Sequence, residues 1–229
     1  MMTHLEKELS KLKQSILEMM DLAKFQLKKS EEAFINSDFK LAKEITRNEK
    51  RMNAMELSID LDCENILALF QPVATDLRFV ISMLKINSDL ERIGDYADGI
   101  ADYVLEMDEA ISSDAINATE VGKMFHITLS MLTDISTALN DEDTSLARKV
   151  YKKDAELNSL NSMASQTIRK FIKKDPDATR SLLFLFSVIR KLERVGDHIK
   201  NIAENAVFYI EAEIMKHKKL QKDPNKKEK

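Results

Sequence analysis

Four carboxylates lie at a regular spacing near the middle of this 229-residue chain, and two of its four glycines lie among them. In a helix, positions i, i+4, i+7 and i+11 share one stripe of the surface, because consecutive residues are rotated by about 100°. The stripe consists of Glu91, Asp95, Asp98 and Asp102. Carboxylates held on one stripe repel each other, so the stripe is either a solvated face or one wall of a cation site.

The sequence motif around this stripe occurs twice. Residues 90–95 read LERIGD and residues 192–197 read LERVGD, five of six positions being identical at an offset of 102. Upstream, LAKEITRNE at 41–49 parallels LARKVYKKD at 146–154 at an offset of 105. A unit of roughly 105 residues is therefore duplicated, and the first copy of the motif has a counterpart in the second.

Each unit is predicted to form three long helices, because apolar residues recur at helical spacing between breaks rich in turn residues. The predicted helices cover residues 4–35, 39–69, 75–110, 117–139, 143–172 and 176–213. At the last break, Asp175 is expected to cap a helix whose first residue is Pro176. The predicted fold is all-α: two tandem three-helix bundles related by a pseudo-twofold axis, covering residues 1–112 and 113–215.

The preceding helix of each unit carries a polar stripe at the same spacing. In the first unit this stripe consists of Glu49, Asn53, Glu56 and Asp60. In antiparallel helices, residues equally far from the connecting turn lie level with each other. The pairs Glu49–Asp95 and Asn53–Glu91 are both centred on Pro72. The equivalent pairs of the second unit, centred beside Pro176, are Asp154–Asp197 and Asn158–Glu193. We therefore expect the two stripes to lie level in both units.

Two facing acidic stripes favour a bound cation, because closely spaced carboxylates cannot all ionise without partners. Carboxylate and amide oxygens are ligands for hard and borderline metal ions. Gly94 and Gly196 agree with this prediction, because a small residue allows an ion or a neighbouring backbone to come close. The candidate ligands are Glu49, Asn53, Glu91, Asp95, Asp98 and Asp102 in the first unit, and Asp154, Asn158, Glu193, Asp197 and Glu204 in the second.

Two other interpretations of the stripes remain open at this point. One is a polar, water-filled groove, and the other is an ion-pair network completed by Arg92 and Arg194. A di-iron carboxylate site is not expected, because no Glu is followed by His three residues later, and His198 has Tyr96 as its counterpart. An enzyme is not expected either, because the chain has no P-loop, no Cys-x-x-Cys and no evident nucleophile paired with a base.

Composition agrees with a helical protein of the cytoplasm. The single cysteine, Cys63, cannot form an internal disulfide, and the longest apolar run, 182–189, is far shorter than the ~20 residues of a membrane span. The formal net charge is −4, although residues 216–229 carry seven lysines against one aspartate and one glutamate. This segment is predicted to be a disordered, solubilising tail, and the acidic remainder argues against nucleic-acid binding.

The duplicated motif, together with QPVATDLR at 71–78 and HIKNIAE at 198–204, resembles the PhoU family of bacterial phosphate-transport accessory regulators. The resemblance covers about residues 3–213. It implies two three-helix repeats that bind multinuclear metal clusters at Glu91 with Asp95 and at Glu193 with Asp197. Iron is the favoured ion, and zinc, manganese and magnesium are the alternatives.

The resemblance also implies a role in the cell. It implies negative regulation of the phosphate-starvation response, in which the protein connects the phosphate ABC transporter ATPase to a membrane sensor histidine kinase, and it implies a homodimer. Many family members have Asn four residues after the motif's Asp. The second unit has Asn201 there, which the resemblance adds to the candidate metal ligands, but the first has Gly99, so we expect the two sites to differ. The alternative hypothesis is a helical scaffold whose acidic grooves are structural and whose metal binding is incidental.

Overall fold

The computed structural model describes residues 2–215, which form seven α-helices and no β-strand. The helices are α1 (His4–Asn36), α2 (Phe39–Phe70), α3 (Ala74–Glu106), α4 (Ser113–Thr119), α5 (Val121–Asp141), α6 (Thr144–Lys174) and α7 (Thr179–Glu211). Helices α1, α2 and α3 pack on one another as the first bundle, and α4 to α7 form the second. The all-α prediction of two tandem three-helix bundles is confirmed, with one short helix added.

The same turn chemistry separates the first two long helices of each bundle. Asp38 accepts hydrogen bonds from the backbone N–H groups of Lys40 and Leu41 at 2.9 and 3.0 Å, which caps α2. Asp143, 105 residues later, caps α6 in the same way. The residues before them, Ser37 and Glu142, both have a left-handed backbone with φ of 52° and 57°. Both caps stabilise the helix start by satisfying N–H groups that have no intrahelical partner.

The predicted start of α7 is wrong by three residues. Asp175 ends α6, with its backbone N–H donating to the Phe171 carbonyl at 2.9 Å, instead of capping α7. The residue before a proline is disfavoured in helical geometry, and Asp175 is accordingly extended at φ −141°. Pro176 belongs to a turn in which its carbonyl accepts from the Thr179 N–H at 3.2 Å, and α7 begins only at Thr179.

The first helix of the second bundle also differs from the prediction of one segment over 117–139. Glu120 has a left-handed backbone with φ of 54°, and this residue separates the seven-residue α4 from α5. The segment begins earlier, at Ser113, because the Ser112 hydroxyl caps α4 by accepting from the Ala115 N–H at 3.3 Å. Helical periodicity continues through such a break, so the sequence pattern did not reveal it.

The two bundles share one hydrophobic core. Helices α3 and α7 run antiparallel along the junction between the bundles, and α1 packs on α5 beside them. Rings meet along the whole α3–α7 contact: Phe79 on Tyr209, Tyr96 on His198, and Tyr103 on Phe184, with centroids 5.1 to 5.7 Å apart. Helix α3 therefore packs between α2 of its own bundle and α7 of the second bundle, and α7 packs between α6 and α3. These two helices, which carry the duplicated motif, are called the motif helices.

No helix between residues 2 and 215 is long and apolar enough to cross a membrane. The predicted tail at 216–229 lies outside the described residues.

Cys63 is fully buried in α2, and this burial raises the pKa of its thiol to about 12.

Candidate metal centre

The motif glycines lie where α3 meets α2 and where α7 meets α6. A Cβ added to Gly94 would lie 3.0 Å from Met52 Cγ and 3.3 Å from Glu49 Oε2. A Cβ added to Gly196 would collide with Leu157 and lie 3.5 Å from Asp154 Oδ1. These neighbours are themselves 105 residues apart, so both units bring the same positions together. The helices approach closely at each glycine, level with the acidic residues, as the turn-centre spacing predicts. We call the space between α2 and α3 the first groove and that between α6 and α7 the second.

Glu49 is the most unusual residue of the first groove. Its side chain is 9% exposed, and neither carboxylate oxygen has a hydrogen-bond partner among residues 2–215. Burial, together with the charges of Asp95, Asp98 and Glu91, raises the pKa of Glu49 to about 7. Burying a carboxylate without a hydrogen-bond partner costs free energy, and the neighbouring carboxylates on α3 add to that cost by repulsion. A cation bound between them would remove that cost.

The α3 wall of the first groove is acidic along its length. Burial, followed by the charge of Asp95, raises the pKa of Glu91. Burial also raises the pKa of Asp98, whose Oδ1 is buried and has no partner within the described part of the chain. Asp95 differs, because the Arg92 guanidinium donates to its Oδ2 at 3.0 Å. Arg92 also lies 3.5 Å from Glu91, which places it at the rim with 58% of its side chain exposed.

A third wall of the first groove, provided by α1, was missed by the sequence reasoning. Gln26 is fully buried, and its amide nitrogen and oxygen both have no hydrogen-bond partner within residues 2–215. The amide lies against Glu49, where it favours the ionised form of that carboxyl. The signal was a polar residue among the core positions of α1, three residues after Ala23 and four before Ser30. An amide oxygen can be a metal ligand, so Gln26 joins the candidate set.

The other residues predicted for the first groove lie further from its centre. Asn53 and Asp102 are both exposed to solvent. The Asp102 charge nevertheless contributes to the raised pKa of Asp98. Of the remaining polar positions on α2, Asp60 accepts a hydrogen bond from Asn87 Nδ2 at 2.8 Å. The centre of the first groove therefore consists of Glu49, Glu91, Asp95 and Asp98, with Gln26 behind Glu49.

A lysine lies inside the second groove. The Lys200 ammonium donates to Asp197 Oδ1 at 2.8 Å and to Asp154 Oδ2 at 3.1 Å, and so joins α7 to α6. Asp154 is 6% exposed and also accepts from Asn158 Nδ2 at 3.3 Å. Burial lowers the pKa of Lys200, but its hydrogen bonds with Asp197 and Asp154 outweigh burial and raise it overall. The ammonium is therefore charged at neutral pH.

The rim of the second groove repeats that of the first. Arg194 lies 3.7 Å from Glu193 Oε2 and 3.8 Å from Asp197 Oδ2, as Arg92 lies near Glu91 and Asp95. More than half of each arginine side chain is exposed. The arginine pairing that the sequence offered as an alternative to metal is thus present at both rims. Exposed ion pairs of this kind stabilise a protein by only about 0–1 kcal/mol, and neither arginine forms an ion pair with the buried Glu49 or Asp154.

Asn201 and Gly99, expected to distinguish the two metal sites, belong instead to the α3–α7 junction. Asn201 Nδ2 donates to Asp89 Oδ1 at 3.2 Å, and His198 Nδ1 lies 2.8 Å from the same oxygen. At the equivalent position, the Lys191 side chain covers Gly99 and extends over the rings of two tyrosines. A side chain at position 99 would displace the end of this lysine.

Glu204, the counterpart of Asp102, lies nearer to the second groove than Asp102 lies to the first. Its Oε1 accepts a hydrogen bond from the Tyr151 hydroxyl at 3.1 Å. Its Oε2 is buried and has no partner in the part of the chain that the structure describes. Tyr151 extends from α6, so this contact also joins the two walls of the groove.

The residues of the first groove fit a metal ion in their chemistry, although they are not preassembled around one. Across residues 2–215, no three Asp, Glu, His or Cys side chains are grouped closely enough to hold an ion as they stand. Mutual repulsion keeps ionised carboxylates apart, and Arg92 draws Glu91 and Asp95 toward the rim. The partnerless Glu49 oxygens, the partnerless Asp98 Oδ1 and the Gln26 amide are oxygen donors of the kind that such ions prefer.

Comparison with known proteins gives consistent matches over nearly the whole chain. A family model described as the PhoU domain matches twice, over residues 16–104 and 121–206. The phosphate-specific transport system accessory protein PhoU homolog of Aquifex aeolicus is 32% identical over 215 residues, which are 93% of this chain and 96% of that protein. The crystal structure of PhoU from Pseudomonas aeruginosa is 31% identical with a TM-score of 0.87, covering 92% of this chain and 100% of that one. That of the phosphate transport system regulatory protein PhoU from Streptococcus pneumoniae is 31% identical with a TM-score of 0.84, covering 92% and 99%.

Proposed function

This chain belongs to the PhoU family, and on that premise we propose that it is a metal-binding, non-enzymatic accessory regulator of phosphate transport. The relatives named above are accessory or regulatory proteins of phosphate transport systems. The proposal extends their role to this chain and adds a metal centre in the grooves between the motif helices and their neighbours.

The single observation that supports the metal centre best is the state of Glu49. A carboxylate that is nine-tenths buried, with only the neutral Gln26 amide beside it and three further carboxylates raising its pKa, is a costly arrangement for an ion-free protein. Glu49, Glu91, Asp95 and Asp98 would hold the metal, with Gln26 as a further oxygen donor. A bound metal would neutralise these charges and fasten α2 to α3. Iron is the favoured ion, with zinc, manganese and magnesium as alternatives, because oxygen-rich sites suit hard and borderline cations.

The metal centre is tested by measuring metal content. The protein is purified without chelators, and its iron, zinc, manganese and magnesium are quantified by plasma mass spectrometry. We expect bound metal in the unaltered protein and its loss in the Glu91→Ala/Asp95→Ala variant. Asp62→Ala on the exposed face of α2 is the matched control, since it removes an acidic residue from α2 outside the groove. Full metal retention in the Glu91→Ala/Asp95→Ala variant would show that these residues are not the metal ligands.

Metal binding is expected to raise stability as well. A ligand that favours the folded state stabilises it by about 2.7 kcal/mol at one hundred times its dissociation constant. For a chain of this size, such a gain corresponds to a melting temperature higher by roughly 5–10 °C. Differential scanning calorimetry with and without a chelator measures this shift. An unchanged melting temperature in a protein shown to lose its metal would favour the scaffold alternative.

For the cellular role, we propose that the protein acts in the cytoplasm as a homodimer and represses the phosphate-starvation response. Its partners would be the ATPase of the phosphate ABC transporter and a membrane sensor histidine kinase. Co-purification from cells grown in high and low phosphate tests this role, with the Glu91→Ala/Asp95→Ala variant in parallel. We expect association in high phosphate. The absence of either partner under both conditions would contradict the adaptor role.

The second candidate function is a helical scaffold whose acidic grooves are structural. The Lys200 ammonium favours it, because it already joins Asp154 to Asp197 without any metal. Under this hypothesis, removal of metal with a chelator leaves both partner binding and the melting temperature unchanged. The two hypotheses differ most in the first groove, where no lysine fills the equivalent place.

A further inference from the structure

The two grooves differ at one pair of equivalent positions near their centres. Position 98 of the first unit and position 200 of the second are 102 residues apart, in register with the motif. The first is an aspartate and the second a lysine, so one groove gains a negative charge where the other gains a positive one. A substitution of this kind, at the place where two helices approach, changes what the groove can bind.

Lys200 occupies the position that a bridging cation would take. Its ammonium lies 2.8 Å from Asp197 Oδ1 on α7 and 3.1 Å from Asp154 Oδ2 on α6. The lysine side chain is 25% exposed and Asp154 is 6% exposed, so the contact is largely shielded from solvent. An ion pair with little solvent access is screened weakly by salt, and breaking it leaves a buried charge without a partner.

In the first groove, the position equivalent to the Lys200 ammonium carries a carboxylate. Asp98 Oδ1 and both oxygens of Glu49 are buried and form no hydrogen bond of good geometry inside residues 2–215. The Gln26 amide lies beside Glu49 and the Thr46 hydroxyl beside Asp98, while the Lys191 charge acts on Asp98 from α7, outside the α2–α3 pair. A second replacement increases the contrast, because Glu56 of the first groove has Asn161 as its counterpart. At these two pairs of positions the first groove therefore has two carboxylates, where the second has an ammonium and an amide.

We propose that Lys200 is a tethered cation that closes the second groove, so that metal ions bind in the first groove in preference to the second. The inference rests on the metal-binding function proposed above and assigns that function mainly to one of the two repeats. A divalent ion entering the second groove competes with an ammonium already bonded to both carboxylates. An ion entering the first groove meets carboxylates whose inner oxygens are free to bind it.

The test counts metal ions in the full-length chain. Purified protein is stripped with a chelator, reloaded with Mn²⁺, freed of excess metal by gel filtration, and quantified by plasma mass spectrometry and electron paramagnetic resonance. In the unaltered protein we expect most bound Mn²⁺ to be lost in Glu91→Ala/Asp95→Ala and retained in Glu193→Ala/Asp197→Ala. Equal loss from the two variants overturns the inference and leaves the proposed function intact, whereas an unaltered protein that is reloaded in turn with Mn²⁺, iron, zinc and magnesium and binds none of them overturns both.

Opening the second groove tests the role of Lys200 directly. In Lys200→Gln we expect bound Mn²⁺ to rise about twofold, because a second carboxylate groove becomes available. Arg194→Gln is the matched control: it removes one positive charge from the same groove, but from the exposed rim, and should leave the Mn²⁺ content unchanged. Lys200→Arg retains the positive charge, so the second groove should stay closed to metal and the Mn²⁺ content should not rise. A Lys200→Gln protein with an unaltered circular dichroism spectrum and no additional Mn²⁺ overturns the inference.

The reciprocal change does not depend on the stability of the second groove. Asp98→Lys places an ammonium in the first groove at the position equivalent to Lys200. We expect a loss of most bound Mn²⁺ without a fall in melting temperature of the metal-free protein, because the new ammonium neutralises buried carboxylates. Retention of Mn²⁺ by Asp98→Lys, together with an unchanged content in Lys200→Gln, would show that the inner charge does not decide which groove binds metal.

Discussion

Glu49 makes the stability of the metal-free protein depend on pH. The ordinary pKa of a glutamate, 4.5, describes the unfolded chain, whereas the folded value is about 7. Because the folded-state pKa is raised, the contribution of Glu49 is fully present below about pH 4.5 and is lost as pH rises to about 7. The carboxylates that face it are Glu91, Asp95 and Asp98 on α3, and the Gln26 amide faces it from α1.

We therefore expect the chelated protein to lose stability between about pH 4.5 and about pH 7, by on the order of 3 kcal/mol from Glu49. Urea unfolding at a series of pH values measures the loss. Glu49→Gln retains the shape of the side chain without its ionisation, so its stability should vary much less over this range. An equally steep decline in Glu49→Gln would show that other groups are responsible.

Gly94 permits the close contact on which the first groove depends. Leucine at this position would overlap with Met52 and Glu49, and we expect Gly94→Leu to lower the free energy of unfolding by about 1–3 kcal/mol. Gly122 on α5 has open space where its Cβ would be, with no described atom within 4 Å. Gly122→Leu should therefore be close to neutral, because Gly122 is the second residue of α5 and its new side chain begins in open space. Similar losses in the two variants, measured by urea unfolding, would contradict the packing argument.

At the scale of helices, two contacts between α3 and α7 differ in their burial. Asp89, with 15% of its side chain exposed, accepts hydrogen bonds from Asn201 and contacts His198 on α7. Asp108, in the segment just after α3, pairs with Arg180 of α7, but 73% of its side chain is exposed. We expect Asp89→Ala to cost about 1–3 kcal/mol, because it leaves the half-buried Asn201 amide and His198 ring without this partner.

The exposed pair is the control for this contact. Asp108→Ala should cost less than about 1 kcal/mol, since surface ion pairs are well solvated. Both variants can be compared by thermal unfolding at matched ionic strength, and the difference between them should persist at high salt. Equal destabilisation would show that burial does not govern the strength of the α3–α7 contacts.

Helix boundaries and levels were predictable from the sequence where they follow local chemistry. Asp38 caps α2 as a turn residue should, and the common centre of the acidic pairs at Pro72 gives the register of α2 on α3. The start of α7 and the break at Glu120 were not predictable, because each depends on backbone conformations that periodicity does not encode. Lys200 was missed for a different reason: alone, a lysine four residues before Glu204 is typical of a solvated helix face.

The residues that complete the candidate site lie on a helix that the sequence argument did not include. Gln26 belongs to α1, and its position against Glu49 depends on how α1 packs on the other two helices of its bundle. Equally, Asn201 follows the motif in sequence but faces α3, because successive turns of α7 contact different neighbours. Spacing identifies residues that share a helix face, whereas tertiary packing decides which neighbour that face meets.

At the scale of the whole molecule, the two bundles should not be independent. The α3–α7 junction is lined by apolar rings and is continuous with the cores of both bundles. A fragment of residues 1–112 would expose that face of α3, and we expect it to aggregate or self-associate. Light scattering after gel filtration measures its mass. A monomeric fragment that unfolds cooperatively would show that the first repeat is a domain by itself.

The full chain, in contrast, is expected to unfold in one transition in the absence of metal, because a single core joins its halves. If metal binds only the first groove, then metal stabilises one half more than the other. We then expect calorimetry of the loaded protein to show a second transition that the metal-free protein lacks.

The burial of Cys63 makes its rate of alkylation a measure of how often α2 opens away from the first bundle. A thiol with a pKa of about 12 supplies almost no reactive thiolate at neutral pH, and its position in the core keeps reagents away. Its rate of alkylation therefore reports how often α2 detaches from the rest of the first bundle. A metal ion that fastens α2 to α3 slows this rate, while one bound between α6 and α7 leaves it unchanged.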